Sequence, residues 1–251
     1  MSFYLHLPSN VSPRYYPNNR MSLYKTKLPK RLNFISNEYE VAITEFTYVN
    51  SLKTFQQDDA RKILFPNDPE NNIGHRMVKN KQYQDVQSLV EEINLCLVLN
   101  DEVYASFAYN PETNRVHFLK GCGTFYINVC LANMLGFDLY TLDDTCRFDV
   151  SRIATNTPNL SRGIYHIFIY SDIIKRQIVG DCLCPLLRMV NVSSKKNEAV
   201  THEFRPYYLP LSQLEFDTIE ILLCDEFGDE LQFEKGQCIV TLHFRKQQNG
   251  N

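Results

Sequence analysis

The sequence is poor in glycine, with 9 among 251 residues, and has no tryptophan. Its one close glycine pair, Gly121-Cys122-Gly123, lacks the third glycine and the Lys-Ser/Thr that a phosphate-cradling loop needs, so nucleotide binding is disfavoured. No apolar run approaches the roughly 18 residues a membrane-spanning helix requires; Leu95-Cys96-Leu97-Val98-Leu99 is among the longest. The opening stretch MSFYLHLPSN has neither a basic n-region nor a long apolar h-region, and no secretory leader is expected. The eight cysteines (Cys96, Cys122, Cys130, Cys146, Cys182, Cys184, Cys224 and Cys238) then read as reduced thiols rather than a disulfide framework. The N-x-S triplets at Asn10, Asn159 and Asn191 become chance matches. Internal repeats and low-complexity segments are absent too.

Acid is missing from one end of the chain. Met1–Asn37 contains no Asp or Glu but carries Arg14, Arg20, Lys25, Lys27, Lys30 and Arg31, a charge of +6, so that the rest must hold −9 to give the net −3. A basic segment joined to an acidic body suits an arm docked on nucleic acid or on an acidic neighbour, or a set of charges that merely solvate strands. Tyr15, Tyr16 and Tyr24 interleave with these cations, a pattern for base stacking or for a protein interface, and the negative total charge favours interface or core use.

What is present is mostly strand signal. Cys238, Val240, Leu242 and Phe244 alternate with Ile239, Thr241, His243 and Arg245, the period of a half-buried strand. Ile219, Ile221 and Leu223 precede the turn Glu226-Phe227-Gly228-Asp229, which reads as a β-hairpin. Residues 163–173 are apolar on both faces and predict a central strand. Prolines confine 200–212 and 22–34 to edges, bends or strand ends. Val86, Leu89, Val90, Ile93 and Leu97 behind Asp85 predict an amphipathic helix. A shorter one fits 128–136, with Asn128 as N-cap and Gly136 at C′. Between them lies a hairpin turning at 110–114. Residues 56–72 read as a surface loop and KQQNGN, residues 246–251, as a polar tail. The fold expected is a mainly β sandwich with an α/β excursion of two short helices and a hairpin inserted at 52–160.

No constellation points to catalysis. Cys182-Leu183-Cys184 lacks the second pair a zinc site needs and reads as small apolar packing. His166, His202 and His243 lie in predicted strands, where a hydrogen-bonded structural role is usual, and no nucleophile elbow occurs. Catalytic, metal and cofactor residues are expected to be none, and the six N-terminal cations are the candidate site.

In order, FYLHLPSN, YYPNNRMSLYKTKLPKRLNF, EYEVAITEFTYVNS, IYHIFIYSDII, VGDCLCPLLRMVNV, EFRPYYLPLS and FDTIEILLCDEFGDELQFEKGQCIVTLHFR resemble the minor capsid (penton) protein of Polinton/Maverick elements and related adintovirus-like viruses. The similarity runs from about Phe3 to Arg245 and includes YQDVQSLVEEIN, FAYNPETNRVHF and INVCLANMLGF; Tyr39 stands where the family has Trp. The resemblance implies a non-enzymatic single jelly roll that forms a homopentamer at icosahedral vertices beside double-jelly-roll major capsid proteins. It implies a virion location, with host cytoplasm or nucleus during assembly, and no cofactor or membrane. Its partners would be itself, the major capsid protein and, through the basic arm, a neighbouring capsomer or packaged DNA, with the acidic insert outward or lateral. The alternatives are a jelly-roll module that binds a glycan or receptor as a trimer or monomer, and a cupin-like enzyme, which the lack of H-x-H spacing disfavours.

Overall fold

Alternating apolar residues make long strands at both ends of this chain, and shorter elements fill the middle. The computed structural model describes residues 2–34, 39–65, 74–99, 102–138, 144–160, 164–193 and 195–247. In chain order, β1 (Ser2–Pro8), β2 (Leu23–Asn33) and β3 (Tyr39–Val49) come first. The middle holds β4 (Lys62–Phe65), β5 (Gly74–Met77), α1 (Val86–Cys96), β6 (Val98–Leu99), β7 (Glu102–Val103), β8 (Ala105–Asn110), β9 (Arg115–Lys120), β10 (Phe125–Asn128), α2 (Val129–Met134), β11 (Thr145–Phe148) and β12 (Arg152–Ile153). The end supplies β13 (His166–Ser171), β14 (Gln177–Val179), β15 (Cys182–Cys184), β16 (Leu186–Asn191), β17 (Ala199–Glu203), β18 (Leu209–Pro210), β19 (Glu215–Cys224) and β20 (Cys238–Lys246).

The chain divides into two compact units, Met1–Leu52 with Ile164–Asn251, and Lys53–Gly163. The first contains two main antiparallel sheets among the described residues, β1-β20-β3-β17 and β16-β13-β19-β2. Setting the small strands aside, the first main strand of this unit pairs with the last, the second with the seventh, the third with the sixth and the fourth with the fifth. That nesting defines a single jelly roll. Its core is shared: Leu7, Phe46, Val240, Leu242 and Phe244 from one sheet cluster with Tyr24, Ile167, Ile169, Ile219, Ile221 and Leu223 from the other. Each of these side chains removes apolar surface from water at about 25 cal/mol per Å².

The prolines fall where strand chemistry places them. β2 and β17 are edge strands, and Pro29 lies where the β2–β19 register slips from Phe216↔Leu32 to Thr218↔Lys27. A residue with no N–H is tolerated at such an irregular edge. β13 is central, between β16 and β19. Its Ile167 and Ile169 are buried, but His166, Phe168 and Tyr170 are only half-buried and Tyr165 is exposed, so one face rather than both is fully covered. The expected 218–233 hairpin is also reduced. β19 turns through Asp225–Asp229, but the returning segment makes a single bridge to β19, Cys224↔Glu230, because β13 and β2 already occupy both edges of β19.

In the Lys53–Gly163 unit, α1 begins at Asp85, whose carboxylate accepts from Ser88 N at 2.7 Å, and it buries Leu89, Val90 and Ile93. The hairpin β8–β9 turns at Asn110, whose side chain accepts from Glu112 N and Thr113 N. α2 begins at Asn128 and ends before Gly136. A four-stranded sheet β11-β10-β4-β5, which no alternation in the sequence announces, also belongs to the unit. The predicted loop 56–72 accordingly contains β4, with Ile63 and Phe65 in the core; residues 66–72 lie outside the described residues. At the C-terminus β20 runs through Lys246, and residues 248–251 of the predicted tail lie outside the described residues.

Candidate assembly surface

The six N-terminal cations sit on a strand and a pinned loop, not on a free arm. β2 runs antiparallel to β19, which places Lys25 opposite Glu220 and Lys27 opposite Thr218. Opposite charges on facing strand positions attract, and here they pair: Lys25 Nζ lies 2.8 Å from Glu220, and Lys27 Nζ lies 2.6 Å from Asp217. Arg31 reaches Glu215 at 3.1 Å and Asp217 at 3.9 Å, and Arg20 reaches Glu230 at 2.8 Å. The hydrogen bond from Lys25 to Glu220, with their mutual attraction, raises the Lys25 pKa; the hydrogen bond from Lys27 lowers that of Asp217. The loop before β2 is held by Asn19, which bonds Val11 O and both backbone groups of Lys25, and by Ser12 Oγ, which accepts from Lys27 N.

The carboxylates that neutralise the basic segment come from β19 and the turn after it. The +6 is therefore largely matched within the same unit, and among the described residues only Arg14 and Lys30 of the six lack an ion pair. The interleaved tyrosines divide as well. Tyr24 is fully buried with its hydroxyl donating to Leu7 O at 3.0 Å, Tyr16 shares a hydrogen bond with Thr218 at 3.0 Å, and Tyr15 is exposed.

The outer face of the other sheet carries a polar aromatic network. Tyr4 stacks on His243 at 4.4 Å, and the Tyr208 hydroxyl lies 2.7 Å from His243 Nδ1. The Arg245 guanidinium covers the Tyr208 ring at 3.4 Å while its Nε bonds Glu40 at 2.6 Å. On the core-facing side of β17, by contrast, the His202 ring lies parallel to Tyr48 at 6.0 Å and to Phe204 at 6.3 Å, with Nε2 buried and unbonded. Burial depresses the pKa of His202, and burial followed by the Arg245 charge depresses that of His243, both from the ordinary 6.5. Below about pH 6.5 the unfolded chain takes up protons on these imidazoles that the folded chain refuses, so stability falls as pH drops through that value and levels off once the folded-state pKa values are passed. Urea midpoints measured between about pH 8 and pH 5 should show a smaller decline in the His202→Gln/His243→Gln double variant than in the native chain; equal declines would contradict this.

The remaining candidates are structural in geometry. Glu226 Oε1 accepts from Tyr165 N and His166 N, each at 2.7 Å, and lies 3.0 Å from His166 Nδ1, which ties the turn after β19 to the start of β13. Cys182 and Cys184 lie on β15, Cys182 exposed and Cys184 half-buried. Among the described residues no group of three or more His, Cys, Asp or Glu is placed to hold a metal ion. Large apolar side chains do stand in solvent. Ile178 and Leu183 face each other across the β14–β15 hairpin at 79% and 63% exposure, and Phe227 is 82% exposed at the turn after β19. Aromatic and aliphatic groups displayed in this way mark contact surfaces when they cluster. Sequence periodicity could not reveal them, since they lie in short strands and a turn.

No family model and no curated protein matches the chain. Among solved structures it is similar to a chain of the Sputnik virophage structure determined by cryo-electron microscopy, at 12% identity and a TM-score of 0.48, covering 98% of each chain. It is likewise similar to the penton protein of mavirus, known from a crystal structure, at 14% identity and a TM-score of 0.49, covering 98% of this chain and 100% of that one.

Proposed function

We propose that the protein is a structural capsid protein, the penton capsomer that forms a homopentamer at icosahedral five-fold vertices and docks against a double-jelly-roll major capsid protein. The observation that carries this reading is the nested eight-strand roll with the Lys53–Gly163 unit interposed between β3 and β13, in the block order of the Polinton/Maverick penton resemblance. A jelly roll covers most of its strand edges internally and leaves the rest for neighbours related by cyclic symmetry. The mechanism is geometric: one wedge repeated around an axis, with contacts made by loops and strand faces. On this reading the insertion lies outward or lateral. Any contact of the basic segment with packaged DNA or an adjacent capsomer falls first to Arg14 and Lys30, since their four companions already have carboxylate partners.

Co-expression with a double-jelly-roll major capsid protein, followed by cryo-electron microscopy of the shells, tests the proposal. Density for five copies at each vertex is expected. Vertices that stay empty, or a stable trimer by native mass spectrometry, would overturn it, the trimer favouring a glycan- or receptor-binding module. Changing all six cations to Ser should weaken vertex occupancy or genome retention no more than changing Arg14 and Lys30 alone.

A further inference from the structure

The outer face of the β16-β13-β19-β2 sheet carries a cleft of about 690 Å³ that the assembly reading leaves without a role. Ile174, Leu222 and Pro185 give it an apolar lining, and the base of the β14–β15 hairpin forms one wall. The volume lies within the range of built ligand sites, roughly 300–1,000 Å³. Lys175 and Arg176 line it as well and are exposed. Unlike Arg20, Lys25, Lys27 and Arg31, neither has a carboxylate partner among the described residues.

The charge pattern selects the occupant. Asp172 and Glu220 lie in the same lining; Glu220 is bound to Lys25, and Asp172 accepts from Glu220 N at 2.9 Å. A polyanion such as a nucleic-acid backbone would meet these carboxylates as well as the two cations, whereas a segment with an isolated carboxylate meets only the cations. The aliphatic lining, with exposed Ile178 and Leu183 on the same hairpin, calls for aliphatic side chains beside that carboxylate. We propose that this cleft docks an extended, acidic and aliphatic peptide segment of a partner protein. An aliphatic side chain would rest on Ile174, Leu222 and Pro185, and a carboxylate would pair with Lys175 and Arg176. The site stands whether or not the chain is a capsomer.

A random heptapeptide display library panned on the full chain, with counter-selection on the K175E/R176E variant, tests it. The enriched peptides should combine Asp or Glu with Leu, Ile or Val. In fluorescence anisotropy with the labelled peptide, affinity should fall about ten-fold or more on K175E/R176E, and again when the peptide carboxylates are replaced by amides. Matching melting curves would show that the variant keeps its fold, as expected for two exposed side chains. The proposal is overturned if nothing is enriched over counter-selection, if basic sequences emerge, or if K175E/R176E binds the selected peptide as well as the native chain does. A change of the chain's own oligomeric state in K175E/R176E would overturn it too, by assigning the cleft to a second copy.

Discussion

Replacing Phe148 by alanine is expected to remove about 3–5 kcal/mol from the stability of the Lys53–Gly163 unit, the usual cost of emptying a closely packed aromatic site. Phe148 is fully buried on β11 and sits directly opposite Phe125 of β10, with the rings stacked at 5.5 Å. Its edges and faces also meet Phe118 at 5.0 Å, Phe137 at 5.2 Å and Phe107 at 5.4 Å, with the Arg152 guanidinium 5.5 Å from its ring. Four rings therefore lose one common partner, and each edge-to-face pair is worth about 0.5–1.5 kcal/mol beyond its buried area. For a unit of this size the loss corresponds to a fall of roughly 10–20 °C in melting temperature. Phe148→Leu, which keeps most of the volume, should cost about 1–2 kcal/mol. Because this cluster is separate from the jelly-roll core, native-state hydrogen exchange should show faster exchange in β10 and β11 with β3 and β20 unchanged. A uniform loss of protection across both units, or a cost below about 1 kcal/mol, would contradict this account of the packing.

The parts of this fold that local chemistry determines could be read from the residues. The alternation from Cys238 to Phe244 needs only the pleat, and it correctly put four core side chains on one face. Asp85 with the Val86, Leu89, Val90, Ile93 and Leu97 spacing needs only one helix, and the Asn110–Asn114 turn only its own side chains. The four-stranded sheet of the inserted unit was invisible for the opposite reason. β4, β5, β10 and β11 are each four residues long, too short to display a period of two, and β10 passes straight into α2, so residues 125–136 carry strand and helix signals end to end. The candidate site suffered from distance in sequence. The excess of cations before Asn37 was plain, but their partners Glu215, Asp217, Glu220 and Glu230 lie about two hundred residues away. The register that joins them depends on an irregularity at Phe216–Thr218, which no alternation pattern records. The cleft is harder still, since its walls come from β13, β19, a hairpin base and a loop that share no motif.

Two glycines with nearly the same backbone angle should respond very differently to one methyl group. Gly136 has φ +89° and Gly228 has φ +86°, both in the left-handed region that an L side chain enters at a cost of about 1–2 kcal/mol. At Gly228 a Cβ meets nothing within 4 Å, so Gly228→Ala should cost only that conformational term. Gly136 instead ends α2 in a Schellman motif: its N–H bonds Asn133 O at 3.0 Å, and Phe137 N bonds Ala132 O at 2.9 Å. The Gly136 carbonyl then accepts from Asn156 N at 2.9 Å, which draws the 155–157 segment against the helix end. A Cβ built there would stand 2.2 Å from Asn156 O and 3.0 Å from Asn156 C, and these are backbone atoms that no rotamer change can move aside. Gly136→Ala must therefore either break the Asn156–Gly136 bond or shift the helix end, adding about 1–3 kcal/mol to the conformational cost. Paired urea titrations of the two variants should give a loss of about 2–5 kcal/mol at Gly136, against about 1–2 kcal/mol at Gly228. Equal losses would mean that the close approach of the 155–157 backbone to α2 does not hold in solution.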